Sequence, residues 1–268
     1  MSNPLLIEHR DGVDWVTLNR PGSLNALDPA LIDALNTYFG GLYRNRDTRV
    51  VVLRGAGANF CAGLDLKHAM QRRGGQQEPP GVTESLDSQR RIADIVMAMR
   101  RCPQPIIALV QGAAAGGGFA LALAADIRIA TKSARMNCAF IKLGLGGCDI
   151  GTSYFLTRLV GMSVASELIL TGRFIGAERA LAVGLVSELV EEGGLESAAE
   201  SYVDAMMTAS PVGLRLSKEC LNMAVDAGSL ESVIAMEDRN QVLCSRSEDF
   251  NEGIRAFLEK RKPVYIRR

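Results

Sequence analysis

Gln111 to Ala130 reads QGAAAGGGFALALAADIRIA. Small residues and a glycine triplet, Gly116-Gly117-Gly118, lead into an apolar segment that opens a helix, and Ile127 to Ala130 then has the short β-branched pattern of a strand. Immediately upstream, Pro105 to Val110 is a continuous apolar run of the same character. Strand, glycine turn, helix and strand in succession are the repeating unit of an α/β sheet. Further out, Val50 to Leu53 is an unbroken β-branched run ending in Arg54-Gly55-Ala56-Gly57, the pattern of a strand buried on both faces. Leu5 to His9 and Asp14 to Leu18 flank Asp11-Gly12, which predicts a hairpin. Pro29 to Arg44 carries Leu31, Ile32, Leu35, Tyr38, Phe39 and Leu42 at helical spacing, with Asp28 as N-cap and proline in the first turn. Ser85 to Arg100 is a second helix.

Beyond about residue 160 only Val186 to Val190 reads as a strand. Helical patterns cover Ser163 to Leu170, Ala177 to Ala182, Leu195 to Ala209, Gly213 to Ala227, Ser229 to Ser245 and Phe250 to Lys260. Their apolar faces predict packing beside an α/β core and contacts between subunits. Arg72 to Gly81 (RRGGQQEPPG) has the composition of a mobile surface loop.

Composition narrows the function. The 268 residues hold 30 Lys plus Arg and 30 Asp plus Glu, so the formal charge is zero. That balance leaves no electrostatic footprint for nucleic acid or an anionic membrane. No apolar stretch reaches the ~18 residues of a spanning helix. The six cysteines are scattered through apolar segments without a CxxC pair or a histidine at ligand spacing, as expected of free thiols in a reducing compartment. MSNPLLIEHRDG resembles neither a signal peptide nor a transit peptide, and a cytoplasmic location is expected.

Two glycine-rich strand-to-helix junctions can carry chemistry: Gly55 to Leu66 (GAGANFCAGLDL) and Gln111 to Phe119 (QGAAAGGGF). Glycine lets backbone approach a ligand closely, and a helix starting there directs unpaired N–H groups and a positive dipole end at an anion. Two such amides converging on one oxygen make an oxyanion hole. Neither GxGxxG nor GxxxxGK[ST] occurs in the second junction, which argues against a dinucleotide or phosphate cradle.

FCAGLDL (Phe60 to Leu66), QGAAAGGGFALALAADIRIA, LTGRFIGAERALAVGLVSELV (Leu170 to Val190), FLEKRKP (Phe257 to Pro263) and NRPGSLNALD (Asn19 to Asp28) together resemble the crotonase superfamily of enoyl-CoA hydratases and isomerases over nearly the whole chain. The resemblance implies a crotonase-like α/β fold: a ββα spiral over residues 1–200 that binds acyl-CoA, and a helical oligomerisation region over residues 201–268. Homotrimers or dimers of trimers would follow. It places the thioester carbonyl between the backbone amides of Leu64 and Gly117. Ala62, Asp65, Leu66 and Lys67 would lie along CoA, with Lys67 or Lys260 near its phosphates. Phe119, Ala120, Phe140 and Ile141 would line an apolar acyl pocket. No metal, flavin or nicotinamide is called for.

Departures from the family pattern redirect the chemistry. Hydratases of this family activate water with two glutamates, and those positions are occupied here by Ala120 and Phe140, neither of which can move a proton. Lys142 to Arg158 instead places Asp149 in a glycine-rich turn, in the region where dienoyl-CoA and ring-epoxide isomerases carry a catalytic aspartate. A dehalogenase of the superfamily has a nucleophilic aspartate there too, but counterparts of its activating His and Trp are missing. The plainer role for Asp149 is a helix N-cap. The leading expectation is a double-bond shift with Asp149 as proton shuttle. The alternatives are hydration by an unconventional acid and a non-catalytic acyl-CoA-binding homologue. Asp65 and Asp126 read as structural groups, Cys148 as a free thiol, His68 as a side chain without a carboxylate partner, and Tyr154 as core.

Overall fold

The computed structural model describes residues 3–75 and 81–265. β1 (Leu5–Arg10) and β2 (Val13–Leu18) form the antiparallel hairpin. Asp11 and Gly12 at its tip both have positive φ, 49° and 89°, as a two-residue turn matching strand twist requires. α1 (Pro29–Gly41) follows, with the Asp28 carboxylate accepting from the Leu31 amide. β3 (Val50–Gly55), α2 (Leu66–Gly75), α3 (Val82–Arg101) and β4 (Ile106–Val110) lead to β5 (Ala113–Ala115) and α4 (Gly117–Ala124). Then come β6 (Ile127–Thr131), β7 (Arg135–Asn137), a 3-10 turn over Ala139–Leu143, α5 (Thr152–Leu159), α6 (Gly161–Thr171), β8 (Ile175–Gly176), α7 (Ala177–Ala182) and β9 (Glu188–Val190). The chain ends in α8 (Leu195–Met207), α9 (Pro211–Ala224), α10 (Leu230–Ser245) and α11 (Glu248–Leu258).

Six strands form one sheet in the order β1-β2-β3-β4-β6-β9, all parallel except β1. The inner strands β2, β3, β4 and β6 are buried on both faces because alternate side chains serve two cores. Val16, Leu18, Val51, Leu53, Ile106 and Ala108 face one cluster with α1, α3, α4, α5 and α6. Trp15, Val50, Val52, Ile107 and Leu109 face a second, closed by Ala199 and Val203 of α8. A small sheet, β5-β7-β8, pairs β5 with β7 in parallel and adds β8 antiparallel.

Three differences from the sequence reading have local causes. Residues 72–75, expected to be loop, continue α2, and Gly81 is the N-cap of α3; the intervening part of that expected loop lies outside the described residues. β5, β7 and β8 were too short to announce themselves as strands. The division expected at residue 200 falls inside α8, a helix that belongs to the sheet's second core.

Candidate active site

The two glycine-rich junctions meet at their backbones. The Cys61 amide donates to the Ala113 carbonyl at 3.1 Å, and the Ala115 amide returns a bond to the Cys61 carbonyl at 3.0 Å. Glycine is required where they touch. A Cβ on Gly118 would stand 2.0 Å from the Cys61 carbonyl oxygen, and one on Gly63, whose φ is +89°, would stand 2.6 Å from that of Ala115. The same Gly63 position is 3.2 Å from the Gly117 nitrogen, so the residue before Leu64 abuts the first residue of α4. Among the described residues, neither the Leu64 amide nor the Gly117 amide has a protein acceptor. Two uncommitted donors on adjoining backbones suit an oxygen that gains negative charge.

Surrounding groups fix this backbone. Asp65 accepts from the His68 amide at 3.1 Å and from the Arg20 guanidinium at 2.9 Å. Burial pushes its proton affinity up, but these two donors outweigh that and hold the carboxyl below its ordinary range. It is therefore a structural group at the start of α2. Arg20 also reaches Asp28 at 3.2 Å and the Ala26 carbonyl. Burial pushes the Cys61 thiol up to about 12, which disfavours the thiolate. At the far end of α4, the buried Arg128 guanidinium donates to the Ala125 carbonyl at 2.6 Å and to Leu185 at 2.7 Å.

Asp149 lies on a turn in which Ile150 and Gly151 both have positive φ, 38° and 89°. Gly151, not Asp149, is the N-cap of α5. Thr152 pins the turn: its hydroxyl accepts from the Asp149 amide at 3.2 Å and donates to the Asp149 carbonyl at 3.0 Å. The Asp149 carboxylate is half-buried and accepts from the Ile150 amide at 2.8 Å and from Gln89 Nε2 of α3 at 2.5 Å, both on Oδ1. Burial raises its proton affinity despite those donors. Ile150 brings the turn to the glycine junction, with Cδ1 3.6 Å from the Cβ position of Gly117. Gln89 and Ile150 carry no sequence signal of a role here, because one lies on a polar helix face and the other is an ordinary apolar residue.

The remaining predicted residues separate into neighbours and outliers. Ala120 is fully buried in α4, and Phe140 is buried with its ring 3.4 Å from the Cβ position of Gly116. Phe119 is a fully buried core side chain, and Ile141 leans on Gly172. Ala62 is half-buried, while Leu66 and Lys67 are exposed. Lys260, at the end of α11, has no hydrogen bond or ion pair to residues 62–67 among the described residues. Tyr154 donates to Asp226 at 2.7 Å, and Asp126 is held by Arg100 and Lys218. Among the described residues the His68 ring makes no hydrogen bond to a carboxylate, whereas His9 is paired with Asp14 at 2.7 Å in the N-terminal hairpin. A cavity of about 940 Å³ lies among α9, α10 and α11 and includes none of the candidate residues. Among the described residues no cluster of His, Cys, Asp and Glu could hold a metal, and no helix is long and apolar enough to cross a membrane.

The Enoyl-CoA hydratase/isomerase family profile matches residues 8–268. A Mycobacterium leprae protein named "Probable enoyl-CoA hydratase echA12" is 36% identical over 261 residues, 96% of this chain and 87% of its own. The 1,2-epoxyphenylacetyl-CoA isomerase of Escherichia coli is 35% identical over 254 residues, covering 95% of each. A crystal structure of an enoyl-CoA hydratase from Bacillus anthracis aligns with a TM-score of 0.90 and 33% identity, over 98% of both chains. With its two abutting glycine junctions and a profile match along nearly its whole length, the chain belongs to the enoyl-CoA hydratase/isomerase family, within the crotonase superfamily.

Proposed function

We propose that this enzyme shifts a double bond in an enoyl-CoA thioester, with Asp149 as the proton shuttle. The observation that carries the reading is the Asp149 carboxylate, which among the described residues has Oδ1 committed to two donors and Oδ2 to none, on a turn packed against Gly117. The thioester oxygen would sit between the Leu64 and Gly117 amides. Loss of a proton near the thioester then builds enolate charge where those donors point, a contribution typically of about 3 kcal/mol per donor. The same aspartic acid returns its proton to another carbon on the same face. Ala120 and Phe140 leave no second acid to activate water at the positions discussed. Proton transfer of this kind needs no metal, flavin or nicotinamide.

On this reading Ala62, Asp65, Leu66 and Lys67 border the CoA path, with Asp65 acting through its hold on the backbone. Lys260 would reach the nucleotide from a neighbouring copy. Phe140 and Ile141 would bound the acyl group beside Ala120, with Phe119 as the support behind them. A homotrimer or dimer of trimers is consistent with α10, which buries none of its residues within one chain. A cytoplasmic setting fits the CoA substrate and free thiols.

Hydration is the second reading, favoured by the hydratase name of the Mycobacterium leprae relative. The two separate by product mass. Incubated with paired 2-enoyl-CoA and 3-enoyl-CoA esters, aliphatic and aryl, the protein should interconvert isomers without mass change. Addition of one water would establish the second reading, and binding without product would make the chain a non-catalytic acyl-CoA binder.

A further inference from the structure

We infer that Gln89 is a positioning residue for Asp149: its carboxamide holds Oδ1 so that Oδ2 is the oxygen that takes and returns the substrate proton. This inference rests on the function proposed above and assigns the hold on its base to a residue outside both glycine motifs. Gln89 Nε2 lies 2.5 Å from Oδ1, and the Ile150 amide reaches the same oxygen at 2.8 Å. No described group donates to Oδ2. A carboxylate with only one occupied oxygen cannot rotate without breaking two hydrogen bonds, so its free lone pairs keep one direction.

The helix that carries Gln89 is itself registered against the turn. Val96 is seven residues further along α3 and therefore on the same side of the helix. Its Cγ1 packs 3.7 Å from the Cβ position of Gly151, two residues after Asp149. Gln89 thus belongs to a helix face locked to the turn, while its own side chain remains exposed and replaceable.

Gln89 is neutral, so it tunes the base without pairing away its charge. A donor to the ionised carboxylate opposes the effect of burial. On α3 the charges nearest Gln89 are Asp87, Arg90 and Arg91, the last paired with Asp33. On α5 Arg158 is paired with Asp226. On the segment before the turn the titratable groups are Cys138, Lys142 and Cys148. Among the described residues none of these charged side chains pairs with Asp149, which leaves the Gln89 amide as the side-chain partner that substitution can remove.

The test is a difference-infrared titration of the carboxyl stretch, with Asp149→Asn as the blank, on the wild-type, Gln89→Leu and Gln89→Lys proteins. Gln89→Leu removes a donor and should raise the Asp149 midpoint by about half to one pH unit; Gln89→Lys supplies a cation and should lower it. The acid limb of kcat should move in the same two directions, with KM changed less than about twofold, because Gln89 acts on the base rather than on substrate binding. Midpoints that stay put in both variants, or move together, would overturn the inference. Unchanged turnover in Asp149→Asn would instead overturn the double-bond reading, and the infrared midpoints would still decide whether Gln89 holds the carboxylate.

Discussion

Burial raises the proton affinity of Asp149, so its charge opposes folding at neutral pH. The sign follows from the raised folded-state value. The contribution of this carboxyl to stability is intact below the unfolded-state value and is lost as pH rises through the higher folded-state value. Asparagine keeps an acceptor for Gln89 and Ile150 and carries no charge. Asp149→Asn should therefore be more stable than wild type at about pH 7, by less than about 1 kcal/mol because the group is half exposed and screened, and the gap should close in acid. Urea denaturation at both pH values checks this; a variant less stable at neutral pH would mean that the charged hydrogen bonds outweigh burial. That Asp149 sits in a glycine turn is legible in KLGLGGCDIGTSYFLTR. That it does not cap α5 is not, because two successive positive-φ residues, Ile150 and Gly151, move the cap forward. Gln89 is invisible for a different reason: a carboxamide among the polar residues of a helix says nothing about a turn sixty positions away.

Elements place the site, and α4 is the most constrained of them. Every residue of this helix is buried, its N-terminal amides meet the Gly63 junction, and at its C-terminal end the Ala125 carbonyl accepts from Arg128 and that of Ala124 from Arg100. Arg128→Met preserves much of the apolar stem but leaves the Ala125 and Leu185 carbonyls without their donor. A loss of about 2 to 4 kcal/mol is expected, read by chemical denaturation. A change within about 0.5 kcal/mol would show that water replaces the guanidinium there. The strands that frame α4 were legible because both of their faces are apolar and β-branched, as Val50 to Leu53 and Pro105 to Val110 demonstrate. β5, β7 and β8 escaped because two or three residues in the company of glycine carry no period. Residues 72–75 read as loop because Gly74 and Gly75 punctuate the sequence, yet a helix tolerates glycine in its last turn.

At the scale of the whole molecule, the C-terminal helices are tied to the α/β core by a buried cation. Lys218 of α9 reaches Asp126 at 2.9 Å, the Gln104 carbonyl at 2.7 Å and the Met99 carbonyl at 3.2 Å. Lys218→Met removes the charge from α9 and leaves Asp126 with Arg100 and the Ile106 amide. The variant should lose about 2 to 4 kcal/mol and become open to proteolysis between α8 and α9. Unchanged protease resistance would mean that the other contacts of α9, among them Asn222 with Arg100, suffice to secure it. The helical character of this region was plain in the sequence, whereas its internal boundary was not. α8 reads like the helices after it, but Ala199 and Val203 commit it to the sheet.

The central claim is that Asp149 moves a proton between two carbons of an enoyl-CoA. Its most direct test compares isomer interconversion by wild type and Asp149→Asn, on one 2-enoyl-CoA and 3-enoyl-CoA pair, with products separated by chromatography and mass. The account predicts interconversion without mass change by the wild type and a fall of about 100-fold or more in kcat for the variant. Undiminished turnover in Asp149→Asn, or a product heavier by one water, would contradict it.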